Sequence, residues 1–330
     1  METIIDNFLE IAIILVAAKL GAEIMRRIHQ PAVIGELFAG VIIGYYGLGL
    51  LPHAEPGDVF STLAEIGVVL LLFEVGLETK LDEFIQLGST SILVALIGVV
   101  APFALGFGVI YALDLGHEYQ FEVALFVGAA MTATSVGITA RVFGDLGALK
   151  SKEAKTIIGA AVVDDILGLL ILTVVAGLLG SGGALSGLDL LIISGKAIGF
   201  LLLVVLVGRK LSPVIFNVFV KIPSMGTFVT GSFIFATLLG AAAHFVGLHP
   251  IVGAFAGGVV AGESGMTHRI REELKPLNYL LVPIFFVYIG SEVNIKVLAS
   301  LDIFLYGALV SVLAFIGKYL SALGALGKGM

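Results

Sequence analysis

The sequence predicts an all-α, polytopic membrane protein, and three observations carry that prediction. Apolar runs of about 20 residues, the length that crosses a bilayer, recur from end to end. Charged residues make up 13% of the 330-residue chain, against about 25% in a soluble protein. Two adjacent aspartates, Asp164 and Asp165, stand inside one apolar run, from about Thr156 to Leu179. An ionisable group at that depth is expensive and marks a functional site facing the bundle interior or a wet cavity.

We read about eleven spans, at approximately 6–25, 33–51, 59–77, 89–113, 121–143, 156–179, 188–216, 226–247, 250–263, 276–292 and 302–326. The alternating pattern of a membrane barrel is absent, and open sheets cannot satisfy their backbone in lipid. The 43 glycines suit close helix packing and broken helices. There is no cysteine, so thiol catalysis, disulfides and thiolate metal sites are excluded. A net charge of −7 with no basic patch argues against nucleic-acid binding. No nucleophile–base pair or cofactor motif appears, so we expect neither an enzyme nor a bound cofactor.

The loops set an orientation. Arg26, Arg27, Lys80, Arg141, Lys150, Lys152, Lys155, Arg209, Lys210, Lys221, Arg269, Arg271 and Lys275 fall beside connections from odd to even spans. The alternate loops hold almost nothing basic, apart from Lys296. By the positive-inside rule the N-terminus lies outside, and the expected setting is a prokaryotic inner membrane.

The chain also repeats itself. Residues 31–44, PAVIGELFAGVIIG, match residues 250–262, PIVGAFAGGVVAG, with one residue deleted. LLFEVGLET (71–79) resembles FFVYIGSEV (285–293) and aligns Gly76 with Gly290. The offsets are 219 and 214 residues. These are spans two and nine, and three and ten. An odd separation of seven spans points the copies in opposite directions, the inverted repeat of secondary transporters, whose sites lie near the midplane. We expect repeat one over about 1–180, a linker helix over about 188–216 and a partial repeat two over about 226–330. The counterpart of the aspartate pair would fall near residue 380, so the chain reads as C-terminally incomplete by about two spans.

Span five carries MTATSVGITAR (131–141), with hydroxyls at Thr132, Thr134, Ser135 and Thr139 beside Gly137. Hydroxyls re-satisfy backbone groups freed where a membrane helix breaks. A midplane break aims carbonyl and hydroxyl oxygens, with half-helix dipoles, at a cation. Asp164 and Asp165 lie about 100° apart around their helix, so one can face the ion while the other meets a partner. The basic candidate is Lys318, deep in span eleven, which needs a carboxylate or must give up its proton. Lys19, Glu36, Glu65, Glu74, Glu122, Lys196, His244 and Glu263 also sit in or near apolar runs.

TATSVGITARV followed by GAAVVDDILGL resembles the cation:proton antiporter superfamily, in particular NapA-type sodium/proton antiporters, relatives of NhaA and the Kef systems. PAVIGELFAGVIIG and LLLFEVGLE resemble that family's early helices. The resemblance implies an NhaA-like inverted-repeat fold with broken crossing helices, a core domain and a dimerisation domain, and about thirteen spans, of which eleven are here. It implies a transporter that exchanges Na⁺ or Li⁺ for protons by alternating access, working as a homodimer. Asp165 then corresponds to the principal ion- and proton-binding carboxylate, Asp164 to the partner of Lys318, and Thr134 with Thr132 and Ser135 to the broken-helix site. Asp165, Asp164 and Thr134 would ligate the transported Na⁺. An Asp–Asp pair implies electrogenic exchange; electroneutral relatives carry Asn–Asp, and Kef systems Gln–Asp. The alternatives are a potassium/proton antiporter and, more remotely, a passive cation channel.

Overall fold

The structure, a computed structural model, describes residues 2–53, 57–78, 89–114, 117–134, 148, 151–180, 187–222, 226–248, 250–297 and 300–326. Among these residues all regular structure is helical. The α-helices are α1 Glu2–Arg27, α2 Ala32–Ile43, α3 Val59–Glu78, α4 Ser89–Ala112, α5 Gln120–Ala130 and α6 Lys152–Gly180. They continue with α7 Gly187–Lys221, α8 Thr227–Phe245, α9 Pro250–Gly262, α10 Thr267–Ser291 and α11 Leu301–Leu320. Short 3₁₀ turns cover His117–Tyr119 and Ser321–Ala325.

Among the described residues six helical stretches are long and apolar enough to cross a membrane, while α2, α5 and α9 are shorter apolar helices. The expected second span, 33–51, is a helix only to Ile43. The backbone then turns, with the Leu48 and Leu50 amides reaching back to the Ile42 and Ile43 carbonyls and Gly49 at φ +67°. The expected tenth span starts nine residues early, because HRIREELK (268–275) is a charged but strong helix former continuous with the apolar part. The fifth ends at Ala130, just before its hydroxyl-rich segment.

The chain forms two compact units. One comprises Met1–Glu78, Val204–His244 and Gly253–Phe304; the other comprises Thr79–Leu203, Phe245–Val252 and Leu305–Met330. The first unit buries Leu70, Phe73, Leu77, Phe216, Phe228 and Ile270 in one cluster and Ile14, Phe60, Ile284 and Val287 in another. Its helices cross at glycine. A Cβ on Gly40 would lie 2.9 Å from Gly290 Cα, and one on Gly258 would lie 2.9 Å from Gly76 Cα. Gly35 rests on the Gly21 carbonyl, and Gly253 on the Leu239 carbonyl. These contacts match between the two sequence repeats: Gly21, Gly35 and Gly40 map onto Leu239, Gly253 and Gly258 at an offset of 218 residues, after the one-residue deletion, and Gly76 maps onto Gly290 at 214. Small residues let backbones touch where lipid supplies no hydrophobic drive for helix association.

Prolines inside the spans leave carbonyls without their usual donor, the N–H four residues on. Pro283 does so for Tyr279, whose carbonyl accepts a hydrogen bond from Lys19 Nζ at 3.2 Å. In the second unit Val94, Ala95, Ala160 and Val163 pack α4 on α6, and Leu125, Ala129 and Val175 pack α5 on α6.

Gly40→Leu and Gly258→Leu should each destabilise the protein by at least about 1–3 kcal/mol, the usual cost of overpacking. Gly108, which has open space around its Cβ position, should accept alanine with no loss. Thermal unfolding of the detergent-solubilised protein measures all three.

Candidate functional site

Four helical segments of the second unit converge on one lysine. α4 runs continuously through Pro102, which has no N–H to give the Gly98 carbonyl. α5 stops at Ala130, and the chain turns through Met131 and Thr132. α6 carries the two aspartates in its interior. α11 delivers Lys318 in its last turn, and its Gly317 packs on Pro102, where a Cβ would lie 2.7 Å from the proline Cα. Gly324 closes against Val94.

The Lys318 ammonium donates to three oxygens: Asp164 Oδ2 at 3.0 Å, the Gly98 carbonyl at 3.0 Å and the Thr132 carbonyl at 2.5 Å. Three N–H groups and three acceptors balance. Thr132 lies just past the end of α5, where the helix dipole is negative and a cation is favoured. The Asp164 side chain is 5% exposed and that of Lys318 29%. Hydrogen bonding offsets the several kcal/mol that each ion of a pair costs to desolvate. Lys318 has a full set. Asp164 does not: its Oδ1 is buried and has no hydrogen-bond partner among the described residues.

A cavity of about 640 Å³ reaches the pair and is also lined by Thr134, Glu153, Thr156, Tyr319 and Ser321. Glu153 and Asp164 lie three turns apart on one face of α6, so the cavity has a carboxylate near the helix start and another deep within it.

The structure brings together Asp164, Lys318, Thr132 and Thr134. Thr132 enters through its backbone carbonyl; its hydroxyl donates to the Ala129 carbonyl at 2.8 Å and faces Gly168, one turn beyond Asp164 on α6. Asp165 is on α6, but its side chain lies outside the described residues, as does Ser135. Among the other candidates, Glu74 accepts from Asn278 and pairs with Arg271 at 3.4 Å, and Glu263 pairs with Arg209 at 3.0 Å. Glu36 is buried within α2. These belong to the first unit and none joins the lysine site. Sequence reasoning missed Gly98, Pro102 and Gly317. A proline inside a span was the available signal, because it names the carbonyl that needs a donor.

The chain as a whole is similar to known proteins. A profile of the family described as sodium/hydrogen exchanger, transmembrane, matches residues 11–328. The high-affinity Na(+)/H(+) antiporter NhaS3 of Synechocystis is 35% identical, with 97% of this chain and 76% of that protein aligned. The Na(+)/H(+) antiporter of Enterococcus hirae is 32% identical over 94% of this chain and 80% of that one. The Na(+)/H(+)-K(+) antiporter GerN of Bacillus cereus is also 32% identical, covering 88% and 72%. In fold, the chain superposes on the sodium proton antiporter MjNhaP1 of Methanocaldococcus jannaschii with a TM-score of 0.74 at 20% identity, covering all of this chain and 80% of that one. An apolar, multi-helix chain with a buried aspartate–lysine pair and a family match over nearly its whole length is an integral, multi-pass membrane protein of the transmembrane sodium/hydrogen exchanger family.

Proposed function

We propose that this protein exchanges Na⁺ or Li⁺ for protons across the membrane, electrogenically and by alternating access. The observation that carries the reading is the Asp164–Lys318 pair at 3.0 Å, with a buried, unpartnered carboxylate oxygen beside a cavity. That oxygen is a hard ligand of the kind an alkali cation takes, by analogy with other hard ions.

One site serves two competing ligands. Facing outward, Asp165 carries a proton. Facing inward, it releases the proton and takes the cation, with Asp164 and Thr134 supplying further oxygens. Asp164 becomes available only when Lys318 lets it go. Lys318 then releases its own proton to water, and the charge change makes the cycle electrogenic. The protein works as a homodimer in a prokaryotic inner membrane with its N-terminus outside. The similarity to GerN, named for K⁺ as well as Na⁺, makes potassium the competing cargo.

Asp165→Asn should abolish exchange by the full chain in everted vesicles; normal exchange in that variant sinks the assignment. Lys318→Gln combined with Asp164→Asn should retain exchange and weaken its dependence on membrane voltage, read from flux under an imposed potential. In proteoliposomes Na⁺ and Li⁺ should each dissipate a preset pH gradient. Cation flux with no movement of protons would instead mark a passive channel.

A further inference from the structure

We propose that Pro102 is a positioning residue for Lys318, acting by leaving the Gly98 carbonyl free to accept its ammonium. The inference rests on the reading of Asp164 and Lys318 as part of the exchange site. In a helix the carbonyl of Gly98 would bond the N–H of residue 102. A proline there has none, and the carbonyl instead accepts from Lys318 at 3.0 Å. The approach is close because residue 317 has no side chain to keep α11 away from the proline ring. The first unit holds the same arrangement independently, with Lys19 on the Tyr279 carbonyl four residues before Pro283.

The two backbone acceptors differ from the third. Asp164 can be claimed by a cation or a proton, whereas the carbonyls of Gly98 and Thr132 stay where they are. When Asp164 turns to a cation, the Lys318 ammonium keeps two acceptors. When one N–H bond of Nζ breaks and its proton passes to cavity water, the amine left has two N–H groups, and the same two carbonyls receive them. Lys318 is therefore fully paired as an ammonium that holds Asp164 and as an amine that has released it, which lowers the cost of release. An alanine at 102 would draw the Gly98 carbonyl back into the α4 ladder. Lys318 would then have Thr132 alone besides Asp164, would hold the carboxylate harder, and would yield it to the cation less readily.

The test is Na⁺-driven proton flux by the full chain in proteoliposomes at one pH. Pro102→Ala should raise the half-saturating Na⁺ concentration about tenfold, the worth of one hydrogen bond to a charged group, with the maximal rate unchanged. Gly317→Ala, which keeps Pro102 but forces α11 and α4 apart where they touch, should move it the same way and carries the test if Pro102→Ala does not fold. Pro213→Ala, a proline removed from α7, should change nothing. In a Lys318→Gln background Pro102→Ala should have no further effect. The proposal is overturned if Lys318→Gln shifts the Na⁺ dependence and Pro102→Ala does not, or if the Pro102→Ala shift persists without Lys318. Should Lys318→Gln itself leave the Na⁺ dependence in place, the exchange-site reading underneath has failed.

Discussion

A lysine ammonium inside an apolar bundle must find an acceptor for each of its three N–H groups, and the second unit is arranged around that demand. Lys318 satisfies it with one carboxylate and two backbone carbonyls. Each acceptor exists because a helix is interrupted or charged at a chosen place: α4 by Pro102, α5 by its end at Ala130, α6 by Asp164. Without the lysine, the carbonyl that Pro102 frees and the buried carboxylate of Asp164 would be separate defects. With it they neutralise one another. The arrangement still leaves Asp164 Oδ1 unsatisfied among the described residues, which sets it apart from an ion pair whose sole task is to hold helices together.

The site sits in a family of exchangers, and its chemistry suits exchange. A carboxylate shared between a fixed ammonium and a vacant coordination direction can accept a cation only by loosening its hold on the lysine. Competition at the carboxylate and the charge on Nζ are thus linked through one short contact, which gives voltage a means of acting on the proposed cycle. The cavity beside the pair carries Glu153 and Thr156 on the same helix as Asp164.

Much of this was legible in the sequence, for a physical reason. Charges in apolar text are costly, so Asp164, Asp165 and Lys318 announce themselves. The placement of helices followed from apolar length alone. What stayed hidden was backbone chemistry. Gly98 and Thr132 contribute carbonyls, which every residue has, so nothing in their side chains advertises the role. Pro102 was visible but read as ordinary text, because its effect falls four residues earlier and on another helix. Span two was overestimated because the tyrosine- and leucine-containing turn after Gly44 is as apolar as the helix before it. The start of α10 was underestimated because charged residues there continue a helix that hydropathy alone cuts short.

The glycine crossings of the first unit bear on how far its two halves correspond. Between the crossing points, Gly40 to Gly76 and Gly258 to Gly290, the first half has four more residues than the second. The first half places a long turn and loop between α2 and α3. The second has a short connection, and α10 is longer than α3. Yet both crossings keep the same partners, Gly40 on Gly290 and Gly76 on Gly258. The helix ends differ between the halves, while the points where backbones touch stay in register, since any side chain there would force the helices apart. The correspondence of the halves is therefore carried by four positions without a Cβ more than by helix lengths or hydropathy. Distant copies of this architecture are best aligned from those points outward.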